Sequence, residues 1–417
     1  MAVFSGASPV IVIPGIGQSR VDECDSSGRS LRRVWPVGVN LKSYVGELSG
    51  PFLKLVMFKK HADLRDKLCS IAAEILDPIA VNPDGSMRHN LKAVEFPRLS
   101  ECDADQKRYV YKMVPLQKLA EAIGEEKLYF FSYNSFDMPY VTAEKLDAFV
   151  SKVKAENGSE KVSFIAVSLG GVILDAYLDA YGAKGGLDRI INVVSASMGT
   201  VLADDLMAGN IDLSAIPGML SGMLGKDAAS SAEKYLAKIP DRAIEDIAYS
   251  VIDVFRKNLG GSCGSLWGAV TPGKYASLAD KYIKNPALKE QTDRFNSARD
   301  DLAGLYRRQT EEFGVKVFVL LGYDLDLVSL AASHGVSSDG IVSAASASLG
   351  AVVGKTGAGS AGVDPSAGLF PDSTWFFKGV DHEGIAKQTK ALDVITKAIS
   401  DPDFTSVLSD PELPQFN

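Results

Sequence analysis

The stretch Phe164-Ile165-Ala166-Val167-Ser168-Leu169-Gly170-Gly171 constrains this chain more than any other. The apolar, β-branched run over 161–167 reads as a strand buried on both faces, and the pattern from 169 to about 181 reads as a helix. A single residue, Ser168, joins them. In so tight a strand-to-helix turn the side chains two before and two after the serine approach each other, and Ala166 and Gly170 are small enough to avoid collision. Such a turn lifts the Ser168 hydroxyl above the carboxyl ends of the strands, where α/β sheets bind ligands. A lone serine at this place would only cap a helix. With a buried strand before it and a glycine pair after it, the pattern points to an exposed nucleophile.

The surrounding elements agree with a sheet of this kind. Residues 9–13 form an apolar run stopped by Pro14-Gly15, a buried strand ending in a sharp loop. An excursion follows over about 20–126, irregular, with a helical stretch at 64–76 and a turn signal at Asn82-Pro83-Asp84-Gly85. A strand is predicted at 127–132, then a helix over 141–153 with Val141, Leu146, Phe149, Val150 and Val153 on one face. Further strands are predicted at 190–195, 315–321 and 374–380, with a closing helix over about 384–399. A helical insert without a core strand occupies 201–312, and a Ser/Ala/Gly-rich connection over 343–368 reads as a flexible loop. Strands alternating with helices give an α/β class: a mostly parallel central sheet with helices on both faces and a helical cap or lid insertion. The organisation expected is 1–200 as the first half of the core, 201–312 as the cap and 313–417 as the second half, around one sheet.

Composition excludes several alternatives. With 46% hydrophobic and 23% charged residues the chain has enough apolar material for a large core. Its longest apolar stretch, 162–174, is too short to cross a bilayer. A net charge of −8, with no basic cluster bearing aromatics, argues against nucleic acid as a partner; Lys59-Lys60 reads as a solvated face. Cys24, Cys69, Cys102 and Cys263 lack metal-ligand spacing, which leaves two disulfides or four buried thiols. No cofactor or metal is expected. Gly15-x-Gly17 lacks the third glycine and acidic partner of a dinucleotide fingerprint, and the segment from Gly350 to Thr356 is one residue short of a phosphate loop. No charged and apolar leader opens the chain, so either a cytoplasmic location or a trimmed secretory signal is expected.

A serine hydroxyl attacks only when a base takes its proton, and on this architecture acid and base follow the nucleophile in that order. His61 and His89 precede Ser168 and read as surface residues. Of the two that follow, His382, just beyond the last strand, is preferred over His334. Three aspartates compete for the acid. Asp324 and Asp326 stand at the end of the 315–321 strand, whereas Asp339 opens Asp339-Gly340-Ile341-Val342, a turn with apolar anchors that would fix a carboxylate, and is preferred. Asp381 reads as a solvated neighbour of the base. An oxyanion needs two fixed N–H donors: Leu169 supplies one, and Ile16, with Gly17 as the alternative, supplies the other from the loop after the first strand.

Taken together, several blocks resemble the lecithin:cholesterol acyltransferase-like lipases and acyltransferases of the α/β-hydrolase fold. The blocks are Pro14-Gly15-Ile16-Gly17-Gln18-Ser19, Val34-Trp35-Pro36, Phe131-Ser132-Tyr133-Asn134, Ala166 to Gly171, Ser265-Leu266-Trp267 before Pro272, 315–322, Asp339 to Val342 and Asp381-His382, in family order over nearly the whole chain. The resemblance implies Ser168, Asp339 and His382 as a triad, an oxyanion loop at Ile16, and a helical cap after about Ser195. Val167 stands where a histidine is common and Asn134 where an aspartate is usual, so substrate preference does not carry over. Within the insert, Met219, Leu220 and Met223 read either as a lid or acyl-chain surface or as part of a buried cap helix. The function expected is hydrolysis of carboxylic, lipid-like esters, with acyl transfer to an alcohol or an inactive lipid-binding protein as alternatives. The partners expected are an acyl-ester substrate and transient contact with a lipid interface, and family habit favours secretion.

Overall fold

The computed structural model describes residues 6–36, 44–213, 240–328 and 331–417. Val10–Ile13 forms β1, wholly buried, as its unbroken β-branched sequence requires. The excursion that follows carries a small antiparallel sheet absent from the sequence reading: β2 at Val21–Cys24 pairs with β3 at Ser30–Trp35 and with β4 at Leu91–Ala93. The strands are short and β3 is largely exposed, so their alternation is too weak to register as sequence signal. Helices Val45–Phe58 and Ala62–Leu76 lie between them.

The central sheet takes in β1, β5 at Leu128–Phe130, β6 at Val162–Val167, β7 at Leu187–Val193 and β8 at Lys316–Tyr323. Beyond a small hairpin of β9, Val352–Val353, and β10, Val363–Asp364, its last strand is β11 at Thr374–Lys378. The order across the sheet is β11-β8-β7-β6-β1-β5, with every pair parallel. This is an α/β-hydrolase fold. One large apolar cluster and a second, led by Val10, Val12, Ile165, Ile191 and Phe318, cover the two faces of the sheet. The chain leaves β1 toward β5 and leaves β6 toward β7, so the strand order reverses between β1 and β6. The crevice above their carboxyl ends is the place where such sheets bind ligands.

Helix Pro139–Asn157 buries Leu146, Val150 and Val153 as expected, but Val141 is exposed, and Thr142 and Ala143 face the core in its place. Val141 stands five residues before Leu146, about 140° round the helix, which turns it to solvent. β7 begins three residues before the predicted strand, at Leu187. The connection over 343–368 is structured rather than an irregular loop: it holds helix Ala344–Ala347 and the β9–β10 hairpin, and the Asp324 carboxylate accepts from the Gly357 and Gly359 N–H groups. At the far edge, Phe376 and the C-terminal Phe416 bridge in parallel, and Trp375 donates through Nε1 to the Leu413 carbonyl, which covers the otherwise open β11. Among the described residues the four cysteines are free thiols and no helix is long and apolar enough to cross a membrane.

Candidate active site

Ser168 occupies the one-residue link between β6 and helix Leu169–Tyr181, with φ 54° and ψ −117°. A non-glycine residue in this region carries strain of order 1–3 kcal/mol, which persists only where neighbours over-determine it. Here its N–H donates to the Val193 carbonyl at 3.0 Å, and its carbonyl accepts from Gly171 and Ala196, each at 3.0 Å. Gly170 is required by close approach: a Cβ there would overlap the Ile13 carbonyl oxygen at the end of β1. The Ser168 side chain makes no helix-cap bond. Its hydroxyl turns instead to the His382 Nε2, 2.9 Å away.

His382 arrives on the loop after β11. Gly379 donates to the Tyr323 carbonyl at 2.8 Å, and the His382 N–H donates to the Asp339 carbonyl at 2.8 Å, so the loop is tied at both ends. Nδ1 of the ring lies 2.7 Å from Asp339 Oδ2. The other carboxylate oxygen accepts from the Ile341 and Val342 N–H groups at 3.0 and 2.8 Å. Facing an acceptor, Nδ1 carries the proton and Nε2 is left to receive the serine's. The Asp339 side chain is fully buried and that of His382 is 17% exposed, so water cannot compete for the carboxylate while the outer ring nitrogen stays reachable. Gly322, in β8, allows this convergence: a Cβ there would overlap the Val380 carbonyl oxygen and lie 3.0 Å from the Asp339 Cβ.

The loop after β1 is fixed by residues that sequence reasoning left without a role. Gln18 accepts from the Gly15 N–H through Oε1 at 2.6 Å and donates through Nε2 to the Met113 carbonyl at 2.8 Å. The Tyr133 hydroxyl donates to the Pro14 carbonyl at 2.7 Å and Tyr109 to the Gln18 carbonyl at 3.0 Å. With Gly15 thus engaged, the Ile16 N–H donates to nothing among the described residues, and neither does the Leu169 N–H at the start of its helix. Gly17 has φ +81° with open space beside it, and the Ile16 side chain stands 46% exposed. Gln18 stands within the Pro14-Gly15-Ile16-Gly17-Gln18-Ser19 stretch, but no spacing rule singles out a loop-pinning amide.

The competing residues go elsewhere. Asp324 is held by Gly357, Gly359 and Lys378, and Asp326 accepts from Leu327 and Gly335. His334 pairs with Asp212, His61 with Asp246, and His89 with Glu23 and Asp77. Asp381 caps the Gly384 N–H. Met219, Leu220 and Met223 lie outside the described residues. No group of His, Cys, Asp and Glu that could hold a metal occurs among the described residues.

No protein-family model and no curated protein sequence matches this chain. Solved structures do. The mature lipase BlEst2 of Bacillus licheniformis aligns at a TM-score of 0.34 and 14% identity, covering 68% of this chain and 83% of its own. Phospholipase PlaB of Legionella pneumophila aligns at 0.28 and 17%, covering 58% of this chain and 41% of its own. The Tle4–Tli4 complex aligns at 0.34 and 12%, covering 97% and 100%. Similarity this distant leaves the chemistry to be argued from the site itself.

Proposed function

We propose that the protein is a serine hydrolase that cleaves carboxylic esters, with lipid-like acyl groups as the substrate class. The observation that carries this reading is the unbroken hydrogen-bond chain from Asp339 Oδ2 through the His382 ring to the Ser168 Oγ. In the proposed reaction His382 takes the Ser168 proton as Oγ attacks the ester carbonyl, and Asp339 holds the imidazole in its tautomer and stabilises the imidazolium. The Leu169 and Ile16 N–H groups, unengaged and at the topological switch point, stabilise the oxyanion. His382 then protonates the leaving alcohol, and water, activated by the same ring, releases the acid and restores Ser168.

A p-nitrophenyl ester series of increasing acyl length, run with wild type and Ser168→Ala, tests the reading. Loss of turnover in the variant by about 10⁴-fold or more is expected. The lipid-like part predicts a rate that climbs with chain length, and a preference for acetate would remove it. Adding a long-chain alcohol distinguishes release to water from transfer: product ester in place of free acid would replace hydrolase by acyltransferase. A Ser168→Ala enzyme that hydrolyses at the wild-type rate would refute the nucleophile and with it the proposal.

A further inference from the structure

Beneath the nucleophile lies a buried polar cluster that the proposed chemistry does not use. Asp175, two turns along the helix that Ser168 begins, is fully buried. Its carboxyl faces the Ser197 and Tyr306 hydroxyls without meeting either at full hydrogen-bond geometry. Ser197 Oγ lies 2.8 Å from Ser195 Oγ, and Asn192, on β7, donates through Nδ2 to the Tyr306 hydroxyl at 2.9 Å. The charge that acts on it comes from Arg299 on helix Pro286–Asp300, whose guanidinium is taken up by the Gly268 and Val270 carbonyls and Asn296. Burial pushes the carboxyl up to about 7, against the opposing pull of Ser197, Arg299 and Tyr306, so its neutral form is favoured well above the usual carboxylate range.

The turn that Asp175 faces, 195–200, touches two arms of the site. Ala196 donates to the Ser168 carbonyl at 3.0 Å, fixing the strained residue's backbone. Further along the same turn, the Thr200 hydroxyl donates to the Ile341 carbonyl, and the Ile341 N–H in turn holds the Asp339 carboxylate. Ser346 adds a 2.6 Å bond to the Gly199 carbonyl. The turn is therefore a strut between nucleophile and acid, and Ser197 on it faces the Asp175 carboxyl.

We propose that Asp175 is a positioning residue for Ser168, acting through Ser197 and the 195–200 turn. The inference rests on Ser168 being the nucleophile. Three variants read it: Asp175→Ala, Asp175→Asn and the milder Ser197→Ala, each checked for native circular dichroism. The readouts are ester kcat and KM against pH, and the rate of labelling by a fluorophosphonate probe. Asp175→Ala and Ser197→Ala are expected to lose about 10- to 100-fold in kcat and labelling rate with KM little changed, as a misplaced nucleophile should. Asp175→Asn, which keeps shape and neutrality, is expected within a few-fold of wild type near pH 6 and to lack the decline that ionising Asp175 imposes on wild type above about pH 7. Wild-type labelling in Asp175→Ala while Ser168→Ala stays unlabelled would overturn the positioning role alone. Asparagine as damaging as alanine would overturn the neutral form, and undiminished labelling of Ser168→Ala would overturn both this inference and the nucleophile.

Discussion

Replacing Gly322 by alanine adds one methyl group where β8, the acid loop and the base loop meet. The new Cβ would overlap the Val380 carbonyl oxygen, with the Val380 carbonyl carbon at 3.1 Å and the Asp339 Cβ at 3.0 Å. Reaching ordinary contact requires that carbonyl to retreat by about 1 Å. Val380 lies between two anchors, the Gly379 bond to Tyr323 and the His382 bond to Asp339, so the displacement is passed to the imidazole and is not absorbed by a slack loop. Nε2 now lies 2.9 Å from Ser168 Oγ, and a shift of that size breaks the alignment for proton transfer. The expected result is a kcat lower by about 100-fold, equivalent to about 2.7 kcal/mol, with KM within a few-fold of wild type. Overpacking adds a stability loss of about 1–3 kcal/mol, read by urea denaturation. Gly273→Ala is the matched control, since a Cβ there meets nothing within 4 Å, and both activity and stability should hold. If Gly322→Ala kept wild-type kcat and stability, the claim that the base loop is rigidly seated on β8 would be refuted.

Asp339→Asn keeps the shape of the acid but presents the wrong hydrogen-bond pattern to Nδ1, and steady-state assays should find kcat lower by about 10⁴-fold with folding intact. Tyr133→Phe removes the bond to the Pro14 carbonyl; about 1 kcal/mol of stability and roughly tenfold of kcat should be lost as the oxyanion loop loosens, measured by thermal denaturation and ester turnover. Stability should also depend on pH through Asp175. Its native pKa is raised to about 7, so the native state binds the proton more tightly than the unfolded chain. The stabilisation Asp175 contributes is therefore fully present below about pH 4, shrinks as pH rises to about 7, and is lost beyond it. Asp175→Asn should flatten that slope in urea titrations, and an unchanged slope would assign it to another group.

What the sequence disclosed and what it concealed divide along physical lines. The buried parallel strands β1, β6 and β8 were legible because their continuous apolar runs have no solvated face to dilute them. Ser168 was legible because steric demands on its turn act on neighbours two residues away, a distance a sequence displays. The structure also brings His382 and Asp339 to Ser168, the residues preferred from chain order and turn chemistry. The β2–β3–β4 sheet was not legible, since its pairing joins segments far apart in the chain and β3 is mostly exposed. Nor were Gln18, Tyr133 and Gly322, whose roles are contacts to backbone atoms of distant loops. A residue that bonds to backbone leaves no complementary side chain to be found, and a glycine needed for closeness looks like any other glycine.

The choice among the three aspartates shows why proximity to a strand end is a weaker guide than the hydrogen bonds a loop must make. Asp324 and Asp326 leave β8 first, but each is engaged before it could reach an imidazole: Asp324 gathers the 357–359 turn of the following connection, and Asp326 takes Leu327 and Gly335 within the loop. The Asp326 bonds, with the Leu325–Ser338 bridge, fold the loop back on its own start. That return sets Asp339 beside Gly322, the residue small enough to admit it. There, Ile341 and Val342 satisfy one carboxylate oxygen, so only the other is free to orient His382. Asp326 is thus spent on closing the loop that delivers Asp339, and Asp324 on holding the 357–359 turn and Lys378. Converting Asp326 to the acid would require the closure that positions Asp339 to come apart, and converting Asp324 would release the 357–359 turn.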